Sequence, residues 1–375
     1  MDDSKKAYLD YVKAIDQEKI QHYDVQLGEE ELKQVTEVVR SNWLSEGKKT
    51  REFEDKFCEL AGTKYAYATA NCTGGLMMAL RAVGVNRDDE VIVPTFTHMG
   101  SVSCIGLVGG IPTFADINSE SFTVDPKSIE KAITSKTKAI IAVHLYGHPA
   151  DMDSIMEISK KYDIPVVEDC APAVGSKYHG IHVGNFGSVG GFSFFADKTI
   201  TTGEGGMLVT NDPEIGKEIL MLKNDGRIER GEYVSERMGY NFRITDLQSA
   251  IALPQIDNVE KLIERKRKIV STYEKYLKGT KGVEFPVWNE QCFVNPHRAN
   301  IIVDEPENLM KFLQKNNMGA RRFFYPVHRY PIYKIEQHFP NAEYAYEHGL
   351  SLPSSPLLDD NAIQKVCVKV KEFMN

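Results

Sequence analysis

The middle of the chain alternates short apolar, β-branched runs with segments whose apolar residues recur at helical spacing. Short runs of this kind, bounded by turn residues, are typical of strands that are buried on both faces. Because parallel strands need a crossover connection, usually a helix, the alternation predicts an α/β fold with a largely parallel sheet. The runs read EVIVPTFTH, IPTFADI, KAIIAVHLYG, IPVVEDCA, SVGGFSFFA and GMLVTND, and helical segments such as SIEKAITS and MDSIMEISKKY separate several of them.

Two amphipathic helices are expected before the first of these runs. Between Glu29 and Arg40 the apolar residues recur at helical spacing, and the segment TREFEDKFCELAG has a second apolar face. In that second segment Thr50 stands where an N-cap is expected and Gly62 where a helix would stop.

The pattern changes after Asp246, where DLQSAIALPQIDNVEKLIERKRKIVSTYEKYL reads as one long helical stretch. Pro254 should bend or interrupt this helix, because proline lacks an amide hydrogen and clashes with the preceding turn. The remainder mixes a strand-like ANIIVDE with two helix-like segments. We therefore expect an N-terminal arm (1–25), a large α/β domain (26–255) and a smaller α+β C-terminal domain with its linking helix (256–375).

The composition argues against several classes of function. The 375 residues are 42% hydrophobic and carry a formal charge of −8, so the chain can bury a large core but offers no basic surface for nucleic acid. The N-terminus lacks the apolar core of a signal peptide and no window approaches a membrane span, so we expect a cytoplasmic protein without membrane contact. The 6 cysteines lack paired spacing, which gives no indication of a zinc site or a disulfide framework.

A single lysine, Lys198, follows the apolar run in SFFADKTITTGEGGM. Most lysines are solvated, but one at the end of a buried strand can be desolvated enough to become neutral and to form an imine with an aldehyde cofactor, usually pyridoxal phosphate. That cofactor needs a carboxylate for its pyridine nitrogen. Asp169, at a strand end in IPVVEDC, is the candidate, although such acids more often cap a turn or a helix. Glu168 should point to the opposite face of the strand.

The phosphate of such a cofactor needs a cradle, and ATANCTGGLMMAL offers one. Thr73 and Gly74 stand at the start of an apolar helix, where free N–H groups and a hydroxyl bind a dianion without a basic side chain. An ordinary threonine N-cap would give the same pattern. Ser193 can add a second hydroxyl. His98, at the end of another strand-like run, could stack on the ring or be a buried structural histidine.

Five segments carry a more specific signal when they are taken in order: SNWLSEGKKTREFED, AVHLYGHPADMD, VVEDCAPAVGSKYHG, SFFADKTITTGEGGM and MGYNFRITDLQSAIAL. Together they resemble the nucleotide-sugar aminotransferase family named after DegT, DnrJ, EryC and StrS. The similarity continues through FFYPVHRYPIY and SLPSSPLLDD to the C-terminus. It implies a fold type I pyridoxal 5'-phosphate enzyme, with a large, mostly parallel sheet domain and a smaller α+β domain.

The resemblance also implies how the chain holds the cofactor. Lys198 would be the lysine that bonds to the aldehyde and later moves protons. Asp169 would hold the pyridine nitrogen. The residues that would bind the phosphate are Thr73, Gly74 and Ser193.

Three further residues take roles from the resemblance alone. Asn241 would reach the phosphate of the neighbouring subunit's cofactor, which makes a homodimer with shared active sites the active unit. Arg243 would anchor the carboxylate of the amino donor or form a structural salt bridge. His328 would approach the sugar.

The implied reaction transfers an amino group from L-glutamate, with glutamine as the less favoured donor, to a keto sugar linked to a nucleotide. The segment KTITTGEGG is most similar to members that aminate C4 of a GDP-linked 4-keto-6-deoxy sugar. A UDP- or dTDP-linked keto sugar and a small phosphorylated ketone are the alternatives. Sugar dehydration is disfavoured, because dehydrating members replace the lysine or add a cysteine cluster. A regulatory role is disfavoured too, because a regulator would need a basic DNA-binding module and none is seen.

The sequence departs from the family pattern in three places. Cys72-Thr73-Gly74-Gly75 stands where a GTAA-type cradle is usual, His98 replaces a more common aromatic residue, and Pro172 occupies a position where many members have Gln or His. A proline side chain cannot donate a hydrogen bond to the cofactor's 3'-oxygen.

Overall fold

The structure, a computed structural model, describes residues 19–228, 233–333 and 335–375. Its strands are β1 (Tyr65–Thr69), β2 (Glu90–Pro94), β3 (Ile111–Ala115), β4 (Thr137–Val143), β5 (Val166–Asp169), β6 (Lys177–Tyr178), β7 (Ile181–His182), β8 (Val189–Ser193), β9 (Gly206–Thr210), β10 (Cys292–Phe293), β11 (Ala299–Ile302), β12 (Arg321–Arg322) and β13 (Gly349–Leu352). Its helices are α1 (Glu29–Ser41), α2 (Lys48–Ala61), α3 (Cys72–Ala82), α4 (Gly100–Leu107), α5 (Pro126–Ala132), α6 (Met152–Tyr162), α7 (Pro213–Lys223), α8 (Asp246–Asp257), α9 (Val259–Leu277), α10 (Pro306–Lys315), α11 (Pro340–His348) and α12 (Asp360–Met374).

A seven-stranded sheet in the order β1-β9-β8-β5-β4-β2-β3 forms the centre of the fold. The neighbours from β8 to β3 pair in parallel, whereas β9 runs antiparallel to both β8 and β1. The predicted α/β fold with a largely parallel sheet is confirmed, and each of the six strand-like runs contains a strand. Strand β1 is missing from the prediction, because its sequence YAYAT includes two alanines, which favour helices.

Both faces of this sheet are covered, which explains why its strands are apolar throughout. On one face α3 and α4 pack against the sheet, and on the other α2 and α8 do so. Strand β9 shows the alternation: Leu208 joins the first cluster, whereas Met207 and Val209 join the second. The sheet is therefore a rigid central layer, and its loops can carry the site.

Helix α2 begins at Lys48 with Gly47 as its N-cap, so the prediction that Thr50 caps it is wrong. Asp246, at the start of α8, supplies the missing acceptor: its carboxylate accepts the N–H groups of Gly47 and Thr50 at 2.6 and 3.0 Å. The sequence could not reveal this cap, because the two partners lie 196 residues apart. The end of α2 is as predicted, with Gly62 at a φ of 70°.

The long helical stretch predicted after Asp246 is two helices, α8 and α9. Pro254 lies inside α8, and the break comes at Asn258, whose side chain donates a hydrogen bond to the Pro254 carbonyl at 2.9 Å. Beyond α9, the antiparallel sheet β11-β13-β12 packs with α10 and α12 around a separate cluster of apolar side chains.

The predicted domain boundaries stay predictions. Residues 1–18 of the expected arm lie outside the described residues. Within the rest of that arm, Ile20 forms a β-bridge with Met318 of the C-terminal part. In the described part of the chain, no helix has both the length and the apolar character needed to cross a bilayer.

Candidate active site

A cavity of about 450 Å³ opens at the carboxyl ends of the parallel strands, which is where open α/β sheets bind ligands. Asp169 ends β5, Ser193 ends β8 and His98 follows β2, so three strands deliver one polar side chain each. Thr73 reaches the same space from the first turn of α3, and Lys198 from the turn after β8. The fold therefore brings together five of the residues singled out from the sequence.

Lys198 lies at the wall of this cavity with its side chain only 16% exposed. Burial is the largest influence and lowers the pKa of the Lys198 amine; Asp197 opposes this and Arg298 adds to it. The nearest carboxylate oxygen of Asp197 is 4.0 Å from Lys198 Nζ, and the other oxygen pairs with Arg298 at 3.0 Å. The amine is thus disposed towards the neutral form that a nucleophile needs.

The Asp169 carboxylate is held by two donors. Ser101 Oγ donates to Oδ2 at 2.6 Å, and the Ala171 N–H donates to Oδ1 at 3.0 Å. Thr97 Oγ1 lies 2.9 Å from Ser101 Oγ, and since the Ser101 proton is used, Thr97 is the donor there. A carboxylate has about four acceptor positions, so Asp169 keeps capacity for a further donor from the cavity. Pro172 also lines the cavity.

Glu168, the preceding residue, has different surroundings. One oxygen accepts the N–H groups of Phe186 and Gly187 at 2.8 and 2.7 Å, and the other accepts the Gly184 N–H at 2.7 Å and the His144 ring at 2.9 Å. Burial would raise the pKa of Glu168, but the His144 hydrogen bond and these amides outweigh it and lower the pKa.

His144, Glu168 and Cys170 come close enough together to resemble a metal site. The hydrogen bonds argue against that role. His144 Nδ1 accepts the Ala150 N–H at 3.0 Å, so its proton is on Nε2 and is donated to Glu168. Both ring nitrogens are occupied, and the cluster ties β4 and β5 to the loop before β8.

The start of α3 differs from the predicted cradle in one respect. Asn71 is the N-cap, and its side-chain oxygen accepts the Gly74 N–H at 2.8 Å. A Cβ at Gly74 would meet the Phe242 ring at 3.1 Å, and Gly74 is not among the residues that line the cavity. Thr73 does line it, and the loop residues Asn71 and Cys72 lie beside it. The alternative reading, in which Thr73 is only an N-cap, is therefore wrong, while a phosphate site at this helix start stays a prediction.

His98 stands at the cavity wall, exposed to the cavity rather than enclosed in the core. Its Nδ1 accepts the Gly100 N–H at 3.0 Å, and its ring meets Phe324 edge-on at 5.9 Å between centroids. Burial, followed by the charge of Lys198, lowers the pKa of His98. A neutral ring at this position is compatible with the predicted stacking, which stays a prediction.

Three residues that the resemblance assigns to the site lie elsewhere in the protomer. Arg243 Nη1 donates to Asp225 at 2.9 Å and to Asn224 at 3.1 Å, so it is paired within its own chain. His328 is buried, with its Nδ1 2.6 Å from Thr95 Oγ1. Asn241 is exposed and pairs through its backbone with Asn224. None of the three lines the cavity around Lys198.

The C-terminal part of the chain supplies cavity residues that the sequence analysis missed. Arg298, Arg321 and Phe324 all line the cavity. Arg298 stacks on the Phe324 ring at 5.6 Å, and Arg321 stacks on Tyr23 at 5.4 Å. Arg298 directly precedes the strand-like segment ANIIVDE, and Arg321 lies further along the chain, but nothing in the sequence brings either residue to the sheet edge that carries Lys198. Ser101 was missed for the same reason.

Comparisons with known proteins show the family of the chain. The DegT/DnrJ/EryC1/StrS aminotransferase family model matches residues 25–371. A protein of Escherichia coli O157:H7 named GDP-perosamine synthase is 40% identical over 94% of this chain and 97% of its own length. A Vibrio cholerae protein of the same name is 37% identical over 94% of this chain and 98% of its own.

A comparison with solved structures also finds sugar aminotransferases. A Streptococcus pneumoniae chain described as a sugar aminotransferase, in its PLP (pyridoxal phosphate) form, superposes with a TM-score of 0.90 at 28% identity, covering 95% of this chain and 100% of that chain. This likeness extends over the sheet, the cavity and the C-terminal part. The chain belongs to the DegT/DnrJ/EryC1/StrS aminotransferase family and is a pyridoxal-phosphate-dependent sugar aminotransferase.

Proposed function

We propose that this aminotransferase moves an amino group from L-glutamate to C4 of a 4-keto-6-deoxyhexose linked to GDP, the reaction of a GDP-perosamine synthase. The similarity to two proteins of that name over nearly the whole chain supports the substrate. The observation that supports the chemistry is that the Lys198 amine and the Asp169 carboxylate line the same cavity.

The groups around the cavity fit pyridoxal phosphate. The cofactor needs an amine for its aldehyde, a carboxylate for its pyridine nitrogen and neutral donors for its phosphate, and the cavity offers one of each kind. Thr73 and Ser193 would supply hydroxyls to the phosphate, with the amide groups at the start of α3. When bound, the cofactor delocalises into its ring the electron pair left on the reacting carbon.

Lys198 and Asp169 would act on different parts of the cofactor. Lys198 Nζ would hold the cofactor through its aldehyde carbon and, when the amino donor takes its place, would act as the base for the proton on the donor's α-carbon. In the second half-reaction it moves a proton in the opposite sense for the keto sugar. Positioned proton transfer of this kind contributes about 10²- to 10⁴-fold in rate. Asp169, oriented by Ser101 and Ala171, would hold a proton on the pyridine nitrogen.

The partner subunit would complete the site, because Asn241 is exposed and lies outside the protomer's own cavity. A complementation experiment tests this role. Lys198→Ala and Asn241→Ala are each expected to be inactive alone. If subunits are exchanged between the two, about a quarter of wild-type activity should return, since half of the dimers then contain one intact site. An active Asn241→Ala homodimer would contradict the shared site.

Arg243 and His328 stay predictions as substrate contacts. Arg243 is paired with Asp225 and would reach the donor's carboxylate only across a dimer interface. Arg298 and Arg321 are among the cationic side chains that line the cavity within the protomer. They are suited to the carboxylates of glutamate or to the diphosphate of the acceptor.

The substrate assignment is tested by direct competition. Purified holoenzyme is given L-glutamate and, in separate reactions, the GDP-, UDP- and dTDP-linked 4-keto-6-deoxy sugars and a small phosphorylated ketone. Formation of 2-oxoglutarate and of the amino sugar is measured by mass spectrometry, and glutamine replaces glutamate in a parallel set. The proposal expects the highest kcat/KM with the GDP sugar and glutamate; preference for another nucleotide would reject the substrate while leaving the aminotransferase chemistry intact.

A further inference from the structure

A second, smaller cleft shares part of its wall with the cofactor cavity. Asp197, Lys198, His297 and Arg298 line both spaces, so these side chains stand between them. Lys266, from α9, lines the smaller cleft only. Because this cleft measures only about 20 Å³, it is too small for a substrate.

Lys266 is the unexplained residue of this cleft. The residue is 7% exposed, and in the described ranges no group accepts a hydrogen bond from its amine or forms an ion pair with it. Lysine is rarely buried unless it is paired, because removing an ammonium group from water costs free energy. A buried lysine without a partner, next to the lysine of the active site, therefore indicates a role beyond packing.

One carboxylate serves the basic groups of this wall. Asp197 Oδ2 lies 3.0 Å from Arg298 Nη2, and Asp197 Oδ1 lies 3.2 Å from His297 Nε2 and 4.0 Å from Lys198 Nζ. Lys198 and Arg298 thus share one acid, Asp197, and Lys266 lines the same cleft as that acid.

Other titratable groups border the cleft as well. Burial is the largest cause that lowers the pKa of His22 to about 3, and burial likewise lowers the pKa of His297, so both rings are neutral at pH 7. Tyr23 and Asp24 complete the rim, and Asp24 has interactions of its own.

We propose that Lys266 is a positioning residue for the aminotransferase reaction: its charge competes with Lys198 for Asp197 and so keeps the Lys198 amine unprotonated. The proposal rests on the proposed role of Lys198 as the residue that bonds to the cofactor. Without the charge of Lys266, Asp197 would stabilise a proton on Lys198 more strongly, because an opposite charge favours the charged form and a like charge disfavours it.

The pKa of Lys266 is lowered as well. Burial, with Asp197 acting in the opposite sense and Lys198 and Arg298 adding to it, lowers the pKa of Lys266 to about 8. Lys266 is therefore mostly charged at pH 7, when its influence on Lys198 is needed. Above that pKa it loses its proton and the influence ends.

The test is a pH titration of the holoenzyme's absorbance, which reports the protonation of the nitrogen that joins Lys198 to pyridoxal phosphate. Lys266→Met is expected to raise the midpoint by about one pH unit, and Asp197→Asn to lower it by a similar amount. Lys266→Arg keeps the charge and should stay near wild type. Lys268→Met is the matched control, because Lys268 lies on the same helix with its side chain 59% exposed.

A second measurement does not depend on turnover. The rate at which the apoenzyme takes up pyridoxal phosphate at pH 7 should fall in Lys266→Met, since only the neutral amine reacts. It should rise in Asp197→Asn. Shifts of opposite sign in the two variants would not arise from a purely structural defect, which would move both in the same direction.

The outcomes separate the two proposals. If Lys198→Ala shows the same absorbance band with pyridoxal phosphate, the role of Lys198 and this inference both fall. If the band depends on Lys198 but Lys266→Met keeps the wild-type midpoint and uptake rate, only the role of Lys266 is overturned. A shift in Lys268→Met equal to that in Lys266→Met would also overturn it.

Discussion

Glu168 and Asp169 are neighbouring acids at the end of one strand, and the structure uses them in opposite ways. Glu168 is fully buried, and four donors occupy its two oxygens. Asp169 receives two donors and borders the cavity. Both acids are restrained, yet only Asp169 has acceptor capacity left over for a ligand.

The difference follows from the pleat and from what covers each face of the sheet. Successive side chains in a strand point to opposite faces, so one of two adjacent acids must turn away from a site that the other enters. Glu168 meets the loop that carries Gly184 and Gly187, whose amides would otherwise lack acceptors. Glu168, whose acceptor positions are all filled by hydrogen bonds from the protein, stabilises the fold. Asp169, which has acceptor positions left, is available to a ligand.

The largest effect on the cavity side is expected from Lys198→Ala. Loss of the amine removes both the covalent link and the proton carrier, so turnover should fall by about 10⁴-fold or more. The melting temperature should stay the same or rise slightly, because a buried amine that is difficult to charge is removed. Steady-state rates and thermal unfolding measure the two effects, and substantial amination by this variant would refute the site.

Asp169→Asn should lower turnover by about 10²- to 10³-fold, the range seen when one preorganised electrostatic partner is lost. The amide keeps the shape but cannot hold a proton on the pyridine nitrogen as an anion can. Unfolding by urea should be little changed, which would separate Asp169 from its neighbour. If stability fell by several kcal/mol while turnover persisted, Asp169 would be structural too.

Glu168→Gln should produce the reverse result. The neutral amide offers one oxygen to donors that now use two, and leaves buried N–H groups unsatisfied, so the free energy of unfolding should fall by about 2 to 3 kcal/mol. Turnover per folded molecule, measured at low temperature, should stay within a few-fold of wild type. Glu157→Gln, at an exposed position on α6, is the control and should change neither quantity.

From the sequence, the residues that carry the chemistry at this sheet edge could be predicted better than the residues that surround and orient them. Strand alternation separates Glu168 from Asp169, and the position of Lys198 after a buried run indicates a desolvated amine. The sequence could not show that Ser101 would orient Asp169, because the two residues lie 68 positions apart. The Asn71 cap of α3 is a local contact that the sequence did offer, since asparagine is a preferred N-cap residue. Arg298 and Arg321 of the C-terminal part could not be predicted as cavity residues either, because only the tertiary fold brings them to this sheet edge.

Acid unfolding offers a smaller test of the same comparison. The pKa of Glu168 lies below its ordinary value of 4.5 because His144 and backbone amides stabilise the anion against the opposing effect of burial. The stabilisation is therefore fully present above about pH 4.5 and is lost as the pH falls through the lowered pKa. The difference in unfolding free energy between wild type and Glu168→Gln should shrink from pH 7 to pH 4. A difference that grows on acidification would contradict this account.

The smallest effect is expected one step away from the cofactor, at Ser101. Ser101→Ala removes a 2.6 Å hydrogen bond that fixes Asp169 but leaves its charge. The cost should be about 1 kcal/mol, or about five-fold weaker binding of pyridoxal phosphate. Thr97→Val, which removes only the donor to Ser101, should weaken binding less. Equilibrium titration of the apoenzymes with pyridoxal phosphate orders the three proteins. If Thr97→Val cost more than Ser101→Ala, the hydrogen bonds would not act on the cofactor through Asp169.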